Sequence, residues 1–379
     1  MKKIFAVLLS ILMTISMFTA CSAKQEPNNT NQSVSTNLQS IEAVYPIDNS
    51  VVEIHSGKQK SGLEHSNLMM FVYTNGKKER SRPEPVRFEW KSSIGYEPDT
   101  EYILNISENE DMTESVSYYS STESLDVYNL KIGAKYYWTV DLNGTTSSVE
   151  EFVVDSACPR NLYVDGITNV RDLGGWETEN GSKVKQGLMF RCGRLNESSA
   201  STANIEITED GKNTMLDELK VKSEIDLRKV DGGEIGGITS SPLGDTVTYY
   251  NCPMDWQGDM FKDNQEQILN VFSILSDRKN YPVIFHCNIG TDRTGMISFL
   301  VNALLGVPED SLIKDYMFSN FGNIGGTRKV SGLTKSGYYK AIQEADGNSL
   351  SEKTYNALVS LGVPESQLDS VIEILSEEY

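Results

Sequence analysis

The sequence predicts a multidomain protein in which an all-β sandwich is followed by an α/β domain whose central sheet is flanked by helices. Residues 45–155 contain short strand-like runs separated by turn-forming residues, a pattern typical of β-sandwiches. Over residues 156–379, strand-like runs alternate with longer runs of helical periodicity, as they do in α/β domains. In this second domain, a cysteine and an arginine six residues apart lie between a strand and a helix. They predict an anion-binding site.

The first residues, 1–20, predict a signal peptide. Two lysines precede an apolar run at residues 4–18 that is too short to span a membrane comfortably. The run ends at Ala20 and Cys21, and this boundary resembles that of bacterial lipoproteins, in which the cysteine becomes the lipidated first residue. We therefore expect a lipid on Cys21 that anchors the protein to the cell membrane, outside the cytoplasm. The alternative is a secreted protein, cut near Ala20 or Ala23.

Residues 21–44 predict a flexible tether, because they are rich in Asn, Gln, Ser and Thr and nearly lack large apolar side chains. The β-sandwich follows, with turn formers such as Asn75-Gly76 between its strands. Its strands are predicted at residues 68–73, 86–90, 101–106, 125–128 and 135–140.

The sandwich resembles immunoglobulin and fibronectin type III domains. Residues 130–136 resemble the fibronectin type III pattern that leads into its tyrosine corner, and Trp90 takes the place of an early core tryptophan. We find no catalytic group of residues in this domain. A spacer or a binding module is the predicted role.

The α/β domain is predicted to contain a strand at residues 225–227 and a buried strand at residues 281–285 that leads into the anion-binding loop. Capping residues start the last two helices, with Ser351 before one and Pro364 before the other. Helices are predicted at residues 217–222, 263–275, 294–305, 308–317, 336–344, 351–361 and 365–378.

The loop at residues 286–295 reads HCNIGTDRTG and joins strand to helix. Backbone N–H groups of such a loop converge on one oxyanion, and the helix dipole adds positive charge. The same field stabilises a thiolate, so Cys287 is a candidate nucleophile. The planar guanidinium of Arg293 is suited to holding two phosphate oxygens at once.

These residues resemble the cysteine-dependent protein tyrosine and dual-specificity phosphatases, and the DRTG ending resembles a bacterial branch of that family. Residues 169–175 (NVRDLGG) resemble the branch's Asn-x-Arg-Asp-Leu-Gly-Gly signature. Residues 190–195 (FRCGRL) resemble its Tyr-Arg-Ser-Gly-x-Leu, with Cys192 in the place of the serine. The stretches IDLR at 225–228, LGVP at 305–308 and DYMFSN at 315–320 continue the family's order, so the resemblance covers residues 160–379.

The resemblance implies a mechanism with two displacements. Cys287 attacks phosphorus to give a phosphocysteine, Arg293 holds the phosphoryl oxygens, and an acid protonates the leaving oxygen. The acid is expected to be Asp292, inside the loop; Asp255, on a separate loop, is the alternative. Residues expected to bind the phosphate or assist the sulfur are Asn288, Ile289, Gly290, Thr291 and Thr294.

Three neighbouring residues are expected to support the loop. His286 is predicted to orient it from beneath, and Asp172 and Asp226 are predicted to form structural ion pairs with nearby arginines.

The expected substrate is an aryl phosphate, on a phosphorylated protein or a small phosphomonoester. A phosphoinositide or inositol phosphate is the alternative within the same mechanism. Related loops carry lysine where this chain has Thr291, and the loss of that lysine removes a contact for a second phosphate. A third hypothesis is a surface-anchored binding protein whose working part is the β-sandwich.

The amino-acid composition limits the classes of ligand and binding partner that we expect. The formal net charge is −19, which argues against nucleic acid as a partner and against adsorption to anionic lipid. Apart from Cys21 and Cys287, the cysteines are at 158, 192 and 252, a spacing that fits neither a disulfide framework nor a zinc site. With three histidines in 379 residues, we expect no metal centre and no cofactor.

Overall fold

Nine strands build the N-terminal sandwich of this computed structural model, which describes residues 40–64, 68–93, 100–198 and 205–377. The predicted signal peptide, nearly all of the predicted tether and Cys21 lie outside the described residues. The strands are β1 (Ile41–Tyr45), β2 (Ser50–Val52), β3 (Val86–Ser92), β4 (Tyr102–Ser107), β5 (Val116–Ser120), β6 (Ser124–Val127), β7 (Lys135–Leu142), β8 (Thr145–Thr146) and β9 (Glu150–Val154).

The sandwich has two sheets. One has the order β1-β3-β6 and the other the order β2-β9-β7-β4-β5, with β8 paired to β7. Four of the predicted strands are confirmed as β3, β4, β6 and β7. The domain starts at Ile41, four residues before the predicted boundary at Tyr45.

Aromatic side chains fill the space between the two sheets. Phe88 of β3 lies edge-on to Trp138 of β7, with ring centroids 5.1 Å apart, and Trp90 is buried as predicted. The hydroxyl of Tyr136 accepts a hydrogen bond of 2.8 Å from the backbone N–H of Lys131. This contact has the form of a tyrosine corner, while the assignment to the fibronectin type III group stays a prediction.

The strand predicted at residues 68–73 is wrong, because this run forms a helix. Helices α1 (Gly57–Glu64) and α2 (Met69–Thr74) are inserted between β2 and β3. An apolar run without alternation fits a buried helix as well as a strand. Asn75 and Gly76 adopt left-handed φ values of 57° and 60°, so they end a helix rather than form a hairpin turn. Phe71 is fully buried in the core of the α/β domain.

The α/β domain has one five-stranded sheet of order β10-β11-β14-β12-β13. Its strands are β10 (Arg171–Asp172), β11 (Met189–Cys192), β12 (Ser223–Asp226), β13 (Thr248–Asn251) and β14 (Val283–His286). β10 is antiparallel to β11, and the other neighbours are parallel. β14 is central and wholly buried, as expected for a parallel strand covered on both faces. Val283 and Phe285 contribute to one hydrophobic core and Ile284 to another.

Nine helices of the described chain complete this domain. They are α3 (Glu209–Asn213), α4 (Met260–Asp263), α5 (Gln265–Leu275), α6 (Arg293–Leu304), α7 (Glu309–Phe318), α8 (Val330–Thr334), α9 (Gly337–Glu344), α10 (Leu350–Leu361) and α11 (Glu365–Leu375).

Two details differ from prediction. The helix predicted at residues 217–222 lies earlier, as α3 and a π-helical turn at Thr214–Glu218, because the chain turns at Lys220 with φ 56°. α10 is capped by the hydroxyl of Ser349 rather than by Ser351. None of the helices in the described ranges is long and apolar enough to cross a membrane.

Candidate active site

The predicted strand–loop–helix unit forms at the centre of the α/β domain. β14 ends at His286, Cys287 follows with 2 % of its surface exposed, and α6 begins at Arg293. The chain turns back at Gly290, where φ is +68° and a Cβ atom would lie 2.3 Å from the carbonyl oxygen of Cys192. That approach excludes any side chain, so the sequence requires glycine here.

Side chains from two other strands and loops hold the loop from outside. The Gly290 carbonyl accepts from Asn169 Nδ2 at 2.9 Å and from Arg191 Nη2 at 2.8 Å. The Asn288 carbonyl accepts from the backbone N–H of Arg194 at 3.1 Å. Because these carbonyls point outward to donors, the loop N–H groups are left to face an anion.

Asp315 of α7 links these supports beneath the loop. It bonds Arg171 Nε at 2.6 Å and Arg191 Nη1 at 2.7 Å. Burial opposes ionisation of this carboxyl, but the two guanidinium groups outweigh it and lower the pKa of Asp315. The three residues come from the separate stretches NVRDLGG, FRCGRL and DYMFSN, which explains physically why all three accompany the loop.

Cys287 is in a field that favours its thiolate. Burial by itself raises the pKa of the thiol, but the charge of Arg293 and the neighbouring hydroxyl and backbone N–H of Thr294 lower the pKa of Cys287 overall. A thiolate is the nucleophilic form of cysteine. The geometry therefore places the sulfur of Cys287 in the loop that leads into the N-terminus of α6.

His286 is buried beneath the loop between two carboxylates. Its Nε2 lies 2.8 Å from Glu224 Oε1, and its Nδ1 lies 3.1 Å from the Cys287 carbonyl oxygen. Burial disfavours the imidazolium, but the carboxylates of Asp226 and Glu224 outweigh burial and raise the pKa of His286. The expected orienting role fits this position.

Glu224, Asp226 and His286 offer ligand atoms within 4.8 Å of one another, so we considered them as a metal site. Asp226 is already paired to Arg228 at 2.6 Å, and Glu224 accepts from the Ser241 hydroxyl at 2.5 Å. A divalent cation there would meet a buried guanidinium. The group is therefore better described as a hydrogen-bond network under the loop.

The two predicted ion pairs are confirmed. Asp226 pairs with Arg228 at 2.6 Å and Asp172 with Arg160 at 2.8 Å, and all four residues are buried. Cys192 is buried too, as expected for a small core residue. The four cysteines of the described chain are free.

Arg293 is oriented by Glu234, a residue that the sequence analysis missed. The Glu234 carboxylate accepts hydrogen bonds from both terminal nitrogens of the Arg293 guanidinium, and the bond from Nη1 is 2.9 Å long. Burial raises the pKa of Glu234, but Arg293 outweighs burial and lowers it. Nη1 also donates to the carbonyls of Leu227 and Met254, at 3.1 and 3.2 Å. Glu234 lies in a glycine-rich segment, GGEIGG, with no periodicity that could have indicated its partner.

The structure separates the two candidate acids. Asp292 lines the cavity above Cys287, where both its oxygens bond Arg328, at 2.9 and 3.2 Å. Asp255 bonds Lys229 Nζ at 2.6 Å, and its side chain is 55 % exposed. Asp255 is not among the described residues that line the cavity. Asp292 therefore shares a cavity with Cys287, and Asp255 does not line that cavity.

The cavity over the loop has a volume of about 600 Å³. Cations, acids and apolar side chains share its wall, and Trp256 is 56 % exposed there. The lining residues are Lys229, Asp231, Glu234, Trp256, Cys287, Asn288, Ile289, Asp292, Arg293, Ile324 and Arg328. Gly290, Thr291 and Thr294, predicted to bind the phosphate, lie in or directly after the loop but do not line this cavity with their side chains.

Part of this chain resembles known proteins. Residues 162–379 match the tyrosine phosphatase family. A Cupriavidus necator protein named as a tyrosine-protein phosphatase is 27 % identical over 182 residues, 43 % of this chain and 64 % of that protein. A tyrosine-protein phosphatase of Nostoc commune is 38 % identical over 56 residues, 15 % of this chain and 19 % of that protein.

The chain thus covers less than two thirds of the length of either relative. Among solved structures, the core catalytic domain of a PP-IP phosphatase from S. cerevisiae, in complex with citrate, has a TM-score of 0.28 and 16 % identity. That match covers 42 % of this chain and 84 % of the other.

Proposed function

We propose that this chain, which belongs to the tyrosine phosphatase family, hydrolyses phosphomonoesters through a phosphocysteine intermediate. One observation carries the proposal: Cys287 lies at the N-terminus of α6 with a lowered pKa, beside Arg293, which lines the same cavity. A nucleophile, an anion ligand and an acid within one cavity are what phosphoryl transfer to cysteine requires.

In the first step, the Cys287 sulfur forms a bond to phosphorus while the ester P–O bond breaks. The leaving oxygen takes a proton from Asp292. Arg293 and the loop N–H groups hold the three equatorial oxygens, where negative charge is spread in the transition state. Glu234 keeps the Arg293 fork in the cavity before the substrate arrives.

In the second step, water attacks phosphorus, its proton passes to the Asp292 carboxylate, and the S–P bond breaks. The thiolate leaves as the stabilised anion because Thr294 and Arg293 favour it. No oxidant, reductant or cofactor enters the balance.

Aryl phosphates are the proposed substrates, because Trp256, Ile289 and Ile324 give the cavity an apolar wall. An exposed indole at its edge is suited to stacking against a phenolic ring. Inositol phosphates are a second candidate, favoured by a further cation in the wall, Arg328.

We also propose that the enzyme acts outside the cytoplasm, anchored by a lipid on Cys21. The basic, apolar and small-residue order of residues 1–21 supports this.

The test of the mechanism is Cys287→Ser. The variant should lose turnover of an aryl phosphate yet still bind phosphate, since Arg293 and the loop N–H groups remain. Rapid mixing of the native enzyme with nitrophenyl phosphate should release a burst of nitrophenol whose molar amount equals that of the enzyme. Turnover by Cys287→Ser at the native rate would refute the mechanism, and absence of any turnover in the native protein would leave the binding hypothesis.

A further inference from the structure

We propose that Arg328 forms a second anion-binding subsite, which selects phosphomonoesters carrying another anionic group near the phosphate that is removed. The inference rests on the proposed phosphatase function and specifies its substrate class, small substrates with at least two anionic groups.

Arg328 lines the cavity, and some of its N–H donors have no hydrogen-bond partner among the described residues. It lines the wall together with Cys287 and Arg293. Its Nε and Nη2 bond the two oxygens of Asp292, and the described residues provide no other hydrogen-bond partner for its side chain. A guanidinium has five N–H donors. An anion in the cavity can therefore bind Arg328 in a bidentate manner.

The backbone of Arg328 is fixed from both sides. Its N–H donates to Asn320 Oδ1 at 2.6 Å, and Asn320 Nδ2 donates to its carbonyl at 3.0 Å. Asn320 is fully buried. An arginine held this closely loses less entropy on binding a ligand than one on a free loop does.

The inserted helices support the same segment from outside. The N–H of Gly76, two residues after the end of α2, donates to the Asn320 carbonyl at 3.0 Å, and the N–H of Ile324 donates to the Gly76 carbonyl at 2.9 Å. A Cβ atom on Gly76 would lie 2.3 Å from the Gly326 carbonyl oxygen. The N-terminal region thus contributes to the position of the Arg328 segment.

The other two cations of the cavity have different tasks. Arg293 is held by Glu234 and faces the phosphate over the sulfur. Lys229 is paired with Asp255, which does not line the cavity. Arg328 therefore supplies the contact for a second anion that the sequence analysis considered lost with the lysine absent at Thr291.

Substrate binding at Arg328 also affects the acid. In the structure Asp292 bonds Arg328 with both oxygens. A second anion of the substrate on the remaining donors of Arg328 would weaken the hold of the guanidinium on Asp292, because the cation then shares its charge between two anions. The carboxyl group is then free to turn towards the leaving oxygen.

The test compares binding of methylphosphonate and methylenebisphosphonate to Cys287→Ser by titration calorimetry, where no turnover is needed. We expect the bisphosphonate to bind at least about tenfold more tightly, as one charge-assisted bidentate contact provides. Adding Arg328→Gln should reduce this preference to about twofold or less, while Arg328→Lys should leave an intermediate value. Circular dichroism checks that each variant folds. If Arg328→Gln does not fold, the bisphosphonate preference of Arg328→Lys decides whether the subsite exists.

Lys229→Gln is the matched control, because it removes another cavity cation and should keep the full preference. An unchanged preference in Arg328→Gln, or its loss in Lys229→Gln, would overturn the assignment. Turnover of phenyl phosphate by the native enzyme tests the phosphatase function separately. Turnover without any bisphosphonate preference refutes the subsite alone, and preference without turnover refutes the phosphatase function alone.

Discussion

Cys287 differs from the other buried cysteines in the direction of its pKa shift. Burial raises the pKa of Cys192, and it raises the pKa of Cys252 to about 12. Burial acts on Cys287 in the same direction, but Arg293 and Thr294 outweigh it and lower the pKa. Near neutral pH, Cys287 is therefore the cysteine of the described chain that most readily forms a thiolate.

We predict selective alkylation of Cys287 by iodoacetamide at about pH 7, because the thiolate is the reactive form. A group with a lowered pKa is ionised above that pKa, so the rate should rise with pH through a midpoint below that of a free thiol. Thr294→Ala removes a hydroxyl that lowers the pKa of Cys287 and should move the midpoint to higher pH. Rates are measured by mass spectrometry of the modified peptide.

Thr334→Ala is the matched control for this shift, because the Thr334 hydroxyl bonds the carbonyl of Val330 within its own helix. It should leave the midpoint in place. A midpoint that does not move in Thr294→Ala would show that this hydroxyl has no part in stabilising the thiolate.

We predict that Asp292→Asn slows alkyl phosphates by about 10²–10⁴-fold and aryl phosphates by less, because poor leaving groups depend most on the proton. Asp255→Asn makes the same chemical change at a residue that bonds Lys229 but does not itself line the cavity. This variant should lose little activity. The measurement is kcat for a series of esters with different leaving-group pKa values. A steep leaving-group dependence in Asp255→Asn alone would exchange the two roles.

The loop between β14 and α6 is the element on which the site depends, and its shape comes from contacts with other elements. Asn169, Arg191 and Arg194 each bond a loop carbonyl. Gly290 lets the chain pass within contact of Cys192. The loop is therefore rigid before substrate binds, which is the condition for electrostatic stabilisation of a transition state.

We predict that Gly290→Ala abolishes most activity and lowers stability by about 1–3 kcal/mol, since strain at positive φ is joined by a clash with the Cys192 carbonyl. Gly187→Ala is the matched control: φ is +82° there, but no atom lies within 4 Å of the added Cβ. It should cost about 1 kcal/mol from backbone strain and keep full activity. Thermal denaturation and turnover of phenyl phosphate measure both effects, and equal loss of activity in the two variants would contradict the role given to the close approach.

At the scale of the whole molecule, the N-terminal region packs into the core of the α/β domain. α1 and α2 are inserted in the sandwich sequence, yet Leu63 and Phe71 pack into the α/β core. Phe71 lies 5.6 Å from Phe321, by ring centroids. The N-terminal region therefore contributes side chains to the core of the α/β domain.

We predict that Cys21→Ala removes the protein from the membrane fraction or blocks its maturation, since a lipid on Cys21 is the proposed anchor. Fractionation of a bacterial host and the mass of the N-terminal peptide are the measurements. Ser22→Ala, at the adjacent residue, should remain in the membrane fraction. Finding the native protein free in the medium, cut after Ala23, would favour an ordinary secretory signal instead.

The sequence by itself determined the parts of this protein that depend on neighbouring residues. The strand, the loop and the helix around Cys287 are contiguous, and their hydrophobic pattern and glycine are local properties of the chain. Four strands of the sandwich and most helices of the α/β domain followed from periodicity for the same reason. The ion pair of Asp226 was expected because Arg228 lies two positions away, whereas Asp172 pairs with Arg160 rather than with the adjacent Arg171.

Only the tertiary structure decided which distant residues meet. Glu234 reaches Arg293 across 59 positions and Arg328 reaches Asp292 across 36, and no periodicity carries that information. The run at α2 forms a helix whose Phe71 and Val72 pack against the α/β core, and there tertiary packing outweighs local propensity. Ion pairs and packing act through space. Which residues become partners is therefore decided only when the chain has folded.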